Sequence, residues 1–190
     1  MATTATTTTS TRPWRRALLW GLGLCLIGRL VALGLGLMLW ETDQIPAGPD
    51  YATLGELDPE PRMGSLEGWT VGLWQRHDTL LYLEIADHGY ERRPEVNVFP
   101  PLYPIAIRAV AWITAGDLLI AALLVSTVAT ALALAVLFRL TEEMFDEDIA
   151  RWSTSYQLVF PTGYILLAAY AESLMLLLTV AVFYLARKQR

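Results

Sequence analysis

The chain has 190 residues, of which 54% are hydrophobic and 17% charged, and its mean hydropathy is positive. Several apolar runs of about 20 residues indicate a polytopic membrane protein, because roughly that length is needed to cross the hydrocarbon core. The formal net charge is −5, and no basic patch supports nucleic-acid binding. The single cysteine excludes a disulfide within the chain.

The N-terminal residues 1–16 are rich in threonine and carry three arginines just before the first apolar run. We expect this segment to be disordered and cytoplasmic. The run at 17–40 is predicted to be an uncleaved spanning helix. A cleaved signal peptide is the alternative, because charges precede a hydrophobic run. The run of about 24 residues, without a clear small-residue cleavage site, favours the span.

Arg29 lies near the centre of this predicted span. A charged side chain in the hydrocarbon core is costly, so Arg29 is expected to face protein, water or a bound anion. Two interpretations stay open. Arg29 forms an ion pair with an acid of another helix, or it contacts a phosphate group.

Residues 41–69 are polar and rich in proline and acids, which predicts an exposed loop. After this loop, Asp78 is predicted to be the N-cap of a short helix over Thr79–His88. Helical periodicity places Asp78 at the edge of the apolar face of that helix. It places Glu84 and Asp87 on the opposite face.

A second short helix is predicted to start at Pro101 and to end at Gly116. Its length of about 14 residues corresponds to about 21 Å, less than the roughly 30 Å of the hydrocarbon core, and Arg108 lies in its middle. We therefore predict a helix that lies along the membrane. The alternative is that residues 102–115 cross it.

Three further spans are predicted, at residues 117–140, 150–168 and 170–187. Asp117 is the predicted N-cap of the first of them, because a carboxylate can accept from the free backbone N–H groups of a helix start. Pro161 is expected to kink the second.

Arginine and lysine in short connections set the orientation of membrane helices. They place the N-terminus, the charged turn at 139–151 and the C-terminus inside, and the loop 41–116 and the turn at 170–172 outside. No inverted repeat supports a small transporter. No spacing of histidine and cysteine predicts a metal site.

Four motifs follow one another along the chain: Asp78 with Tyr82, IADHGY at 85–90, FPPLYP at 99–104 and FPTGYILLAAYAESL at 160–174. In this order they resemble the motifs of the PIG-V-like mannosyltransferases. These are membrane glycosyltransferases of the GT-C fold, related to the enzyme that adds the second mannose to glycosylphosphatidylinositol anchors.

The resemblance covers residues 17–190 and implies that they form the N-terminal part of a GT-C transmembrane module, with juxtamembrane helices in the first outer loop. It implies a polyprenyl-phosphate sugar as the donor, a lipid-linked acceptor, and mannose transfer on the non-cytoplasmic face. A role for a divalent cation stays open. Family members usually carry a tryptophan directly before the acid, where this chain has His77.

The resemblance places the catalytic base at Asp78. A carboxylate is suited to take the proton of an acceptor hydroxyl that attacks the anomeric carbon. A lipid-phosphate leaving group needs little acid assistance, so one base can suffice, unlike the two carboxylates of glycoside hydrolysis.

The other candidate site residues are predicted to bind substrate: Arg29, Tyr82, Tyr103, Tyr170 and Glu172. The tyrosines offer hydroxyls and a stacking face to a sugar, although interfacial aromatics need no function. Glu172 is a candidate to bind the sugar, the acceptor or a cation, or to pair with an arginine. The alternative function is that of a truncated or degenerate membrane protein that binds only lipid or partner helices.

Overall fold

The computed structural model describes residues 12–41, 70–71, 74–75, 77–92 and 94–189. The helices of this part of the chain are α1 (Arg12–Glu41), α2 (Asp78–His88), α3 (Leu102–Ala111), α4 (Leu118–Met144), α5 (Glu147–Val159) and α6 (Glu172–Lys188), with 3₁₀ turns at Pro94–Val98 and Gly163–Leu166. These residues form no strand. The predictions for residues 1–11 and 42–69 lie outside the described residues.

Two helices, α1 and α4, are long and apolar enough to cross a membrane. Their apolar stretches are Pro13–Met38 and Leu118–Met144, of 26 and 27 residues. At about 1.5 Å per residue, each is about 40 Å long. The all-α prediction is thus confirmed for the described residues, whereas the number of crossings and the GT-C arrangement stay predictions.

The start of α1 differs from the prediction that residues 1–16 are disordered, because the helix already begins at Arg12. Arg16 explains the difference. Its guanidinium forms ion pairs with Glu142 of α4 and Glu147 of α5, which hold the first turns of α1 against the other helices.

The central helix is α4, against which all the other described helices pack. Its buried face is rich in alanine and hydroxyl residues, which allow neighbouring backbones to approach closely. Asp117 caps it as predicted, because its side chain accepts a 3.0 Å hydrogen bond from the backbone N–H of Ile120.

The two ends of α4 define the ends of the bundle, which we name the Asp117 end and the Met144 end. Arg16 near the start of α1 pairs with Glu142, so α1 runs antiparallel to α4. The last residue of α6, Lys188, forms an ion pair at the same Met144 end. The basic residues of several helices therefore share one end, and the orientation of this end in the membrane stays a prediction.

The segment predicted as one kinked span at 150–168 is not one helix, because α5 ends at Val159. Phe160 has ψ of 141°, the extended conformation that a following proline favours, so Pro161 terminates α5 and does not kink it. A turn and a short 3₁₀ segment follow before α6 begins at Glu172. Whether these segments cross the membrane stays a prediction.

The helices α2 and α3 cover the Asp117 end of the bundle. A buried cluster joins them to the first turns of α4, and its members include Tyr82, Leu83, Tyr103, Ile107 and Leu119. The helix α3 ends at Ala111, earlier than predicted, and has 10 residues. At about 15 Å it is too short to cross a bilayer alone.

Candidate functional site

The start of α2 lies against the segment that precedes α6. The hydroxyl of Thr79 donates a 3.3 Å hydrogen bond to the backbone oxygen of Ala169, and both residues are fully buried. Thr79 follows Asp78, and Ala169 is followed by Tyr170 and, three positions on, by Glu172. This single contact therefore brings two of the sequence motifs together.

Two carboxylates and two phenols lie within electrostatic range of one another near this contact. Asp78 and Glu172 both interact electrostatically with the phenol of Tyr82 and with that of Tyr170. The two carboxylate residues are exposed, and each is the first residue of its helix. A negative charge is favourable there because of the helix dipole, so both acids also have a structural role.

The predicted N-cap role of Asp78 is wrong. The helix begins at Asp78, and the N-cap position belongs to His77, whose φ of 49° is left-handed and whose side chain forms no capping hydrogen bond. The carbonyl of His77 accepts from the backbone N–H of Leu80 at 3.2 Å. The carboxylate of Asp78 forms no hydrogen bond with the described residues, so capping does not occupy it.

The rings of Tyr82 and Tyr103 pack against each other near these carboxylates. Their ring centroids are 5.0 Å apart in an edge-to-face arrangement, and the ring of Phe99 lies 5.0 Å from that of Tyr82. The hydroxyl of Tyr103 lies 2.6 Å from that of Ser126 and donates to the backbone oxygen of Ala122 at 3.1 Å.

Burial sets the protonation state of these phenols. It raises the pKa of Tyr82 to about 12, with Glu172 and Asp78 adding to the effect. It also raises the pKa of Tyr103, although the hydrogen bond to Ser126 acts in the opposite direction. Both phenols therefore stay neutral near pH 7, where they can donate hydrogen bonds but cannot act as bases.

Arg29 lies on the α1 side of this region, within electrostatic range of Tyr103. Its Nη2 donates to Thr127 Oγ1 at 2.6 Å and to the Leu123 backbone oxygen at 3.1 Å, and its guanidinium lies over the Trp74 ring at 5.1 Å. Arg29 forms no ion pair with an acid of the described residues. Of the two interpretations of Arg29, the ion pair with another helix is thus not observed in that part of the chain.

The predicted site residues therefore lie in one region at the Asp117 end, which we name the Asp78 cluster. Its members are Asp78, Tyr82, Tyr103, Tyr170, Glu172 and Arg29. The hydroxyl of Tyr103 forms hydrogen bonds within the protein, whereas the two carboxylates are exposed.

Helical periodicity predicted that the carboxylate residue Glu84 lies opposite the apolar face of α2, and this prediction is wrong. Glu84 is 1% exposed, and its Oε1 lies 4.0 Å from Nε of Arg92. Asp87 is exposed, as expected. Seven of the 11 residues of α2 are buried, so the helix is covered on more than one side, and its periodicity could not reveal this.

No group of three or more histidine, cysteine, aspartate or glutamate residues within the described part of the chain could hold a metal ion. Comparison with protein-family models, with curated proteins and with solved structures found no match.

Proposed function

We propose that this protein is a multi-pass membrane glycosyltransferase that transfers mannose from a polyprenyl-phosphate-mannose donor to a lipid-linked acceptor on the non-cytoplasmic face. The observation that carries the proposal is that Asp78 and Glu172 lie within electrostatic range of the phenols of Tyr82 and Tyr170, beside the hydrogen bond between Thr79 and Ala169. Thr79 and Ala169, which join these motifs, are 90 positions apart in the sequence.

Asp78 acts as the base in this proposal. Its carboxylate accepts the proton of the acceptor hydroxyl while the hydroxyl oxygen attacks the anomeric carbon. The new bond to the acceptor oxygen replaces the bond between the anomeric carbon and the phosphate oxygen. The polyprenyl phosphate leaves with the electron pair of that bond, and it needs no acid catalyst because it departs as a stable anion.

Three other members of the Asp78 cluster, Glu172, Tyr82 and Arg29, bind the substrates. Glu172 is exposed and accepts hydrogen bonds from sugar hydroxyls, and the neutral phenol of Tyr82 donates one. Arg29 lies deeper along α4, at the level of Thr127, and supplies positive charge to the lipid phosphate. The roles of Asp78 and Arg29 are thus separable by experiment, because one serves the reaction and the other serves donor binding.

The substitution Asp78→Asn tests the base. It keeps the size of the side chain and removes the proton acceptor, so transfer should fall by about 10²–10⁴-fold. The measurement is transfer of labelled mannose from polyprenyl-phosphate-mannose to glycolipid in proteoliposomes that contain the whole chain. Asp87→Asn is the matched control, because Asp87 is an exposed aspartate at the other end of the same helix.

The possible outcomes discriminate between the candidate functions. Transfer by the Asp78→Asn variant at the parental rate contradicts Asp78 as the base and makes Glu172 the next candidate. A parental protein that binds polyprenyl phosphate but transfers no sugar supports the alternative, a membrane protein that binds lipid without catalysis.

Donor binding is tested separately with Arg29→Leu and Arg29→Lys. We expect Arg29→Leu to weaken binding of polyprenyl phosphate about tenfold or more, because a charge-assisted hydrogen bond is lost. Arg29→Lys keeps the charge and should retain part of the affinity. Equal affinity of all three proteins would leave Arg29 with the structural role of joining α1 to α4.

A further inference from the structure

A cavity lies at the Met144 end, at the opposite end of the bundle from the Asp78 cluster. Its volume is about 550 Å³, and it lies between the start of α1, the last turns of α4 and the start of α5. We name it the arginine cavity. Its lining consists of Arg15, Arg16, Leu19, Trp20, Phe138 and Arg151.

All the charged residues that line the arginine cavity are positive. Arg16 and Arg151 are held in place by Glu147, which accepts from Arg16 Nη1 at 2.5 Å and from Arg151 Nη2 at 2.6 Å. Arg15 is exposed and forms no ion pair with the described residues. Two carboxylates, Glu142 and Glu147, pair with Arg16 and Arg151, the other two arginines of the cavity. The three arginines and these two carboxylates together therefore carry a net charge of +1.

The arginines are oriented by aromatic rings as well as by carboxylates. The guanidinium of Arg151 lies 5.2 Å from the ring centroid of Trp20, and that of Arg16 lies 5.9 Å from that of Phe138. The indole N–H of Trp20 donates to Thr154 Oγ1 at 2.9 Å, which fixes the ring. Such preorganised guanidinium groups are suited to bind a phosphate group.

An apolar track continues from the cavity along the outside of α1. Leu19 lines the cavity, and Leu26 and Leu30 follow on the same face of the helix. These side chains are 60%, 51% and 68% exposed. The track extends over 12 residues, from Leu19 to Leu30, or about 16 Å along the helix. An acyl chain could follow it while the headgroup occupies the cavity.

We propose that the arginine cavity binds the phosphate headgroup of an anionic phospholipid, with an acyl chain along Leu19, Leu26 and Leu30. Positive charge at one end of a membrane helix bundle is the general setting in which such headgroups bind. A free phosphate would match the arginines but would leave the apolar track uncovered. The proposal concerns a structural lipid, and it does not depend on the glycosyl transfer at the Asp117 end.

The test uses the whole chain in a neutral detergent and native mass spectrometry, with phosphatidylglycerol and phosphatidylcholine as probes. We expect phosphatidylglycerol to bind more tightly than phosphatidylcholine. Arg15→Gln should weaken its binding about fivefold, and Arg15→Gln with Arg151→Gln about 25-fold. Arg15→Gln breaks no ion pair with the described residues, so it should leave the fold intact.

Arg187→Gln is the matched control, because Arg187 is an exposed arginine at the same end that does not line the cavity. It should leave the affinity for phosphatidylglycerol unchanged. Equal binding of the two lipids, or equal weakening by Arg187→Gln and Arg15→Gln, would overturn the proposal. Displacement of the lipid by millimolar inorganic phosphate would also overturn it, because the cavity would then be a site for a free anion.

Discussion

The hydroxyl oxygens of Tyr103 and Ser126 lie 2.6 Å apart, and both residues are buried. This contact fastens α3 to α4. The hydroxyl of Ser126 also donates to the backbone oxygen of Tyr170 at 3.4 Å, in the segment before α6. One serine of the central helix therefore joins α3, which carries Tyr103, to the segment that carries Tyr170 and leads into Glu172.

The first prediction concerns the two substitutions Tyr103→Phe and Ser126→Ala. Tyr103→Phe should lower the free energy of unfolding by about 1–2 kcal/mol, because Ser126 then loses its short hydrogen bond in a buried site. Ser126→Ala should cost less, about 0.5–1 kcal/mol, because the Tyr103 hydroxyl keeps its bond to Ala122 and the bond to Tyr170 that is also lost is long, at 3.4 Å. Denaturant unfolding in detergent measures both values. A larger effect of Ser126→Ala would contradict this order.

The local features of the fold could be predicted from the sequence. The Asp117 cap depends on residues three positions apart, and the two long apolar helices follow from composition alone. The end of α5 was mispredicted as a kink because the sequence shows where a proline lies but not which way the chain turns after it. The backbone of Phe160 is extended, and this conformation ends α5 at Val159 instead of kinking it.

Tertiary contacts could not be predicted in this way. The predicted topology placed Asp78 and Glu172 on the same side of the membrane. Their proximity depends on the bond between Thr79 and Ala169, which no local pattern indicates. The burial of Glu84 has the same origin, since it depends on how many neighbours cover α2.

The second prediction tests the packing of α1 against α4. A Cβ atom at Gly21 would lie 2.4 Å from the backbone oxygen of Ala131, and a backbone atom cannot move aside easily. Gly21→Ala should therefore destabilise the protein, by about 1–3 kcal/mol. Thermal unfolding in detergent would measure the loss.

Gly23→Ala is the matched control for this prediction. A Cβ atom at Gly23 meets nothing within 4 Å, so the substitution should be neutral or should stabilise α1 by up to about 1 kcal/mol through helix propensity. Equal effects of the two substitutions would show that α1 does not pack closely on α4.

The third prediction is a loss of stability at alkaline pH. The pKa of Tyr82 is raised from its ordinary value of 10 to about 12 by burial. The native state then holds a proton that the unfolded state releases above pH 10. The stabilisation of the native state by the protonated Tyr82 phenol is therefore complete below pH 10 and is lost as the pH rises through about 12.

Tyrosinate absorbance and unfolding, measured together across this range, check the prediction. Tyr82→Phe should reduce the decrease in stability, because a phenylalanine cannot ionise. Tyr156→Phe, which changes a 61% exposed tyrosine on α5, serves as the control. A decrease of the same size in the Tyr82→Phe variant would show that other groups cause it.

The last prediction concerns orientation in the membrane. The antiparallel packing of α1 on α4 puts Arg15, Arg16 and Arg151 at the Met144 end, and basic residues favour the inside. Asp148→Cys, an exposed position at that end, should react with an impermeant maleimide only after permeabilisation. Val98→Cys, at an 82% exposed position in the loop predicted to lie outside, should react in intact cells.

Both variants require a Cys25→Ser background, so that the introduced cysteine is the only thiol in the chain. Thr141 is a poorer position for the inner label, since it is 9% exposed and a cysteine there would be shielded by protein. Reaction of Asp148→Cys alone in intact cells would mean an inverted orientation. Reaction of both would mean that α4 does not separate the two ends across the membrane, and the proposed topology would be wrong.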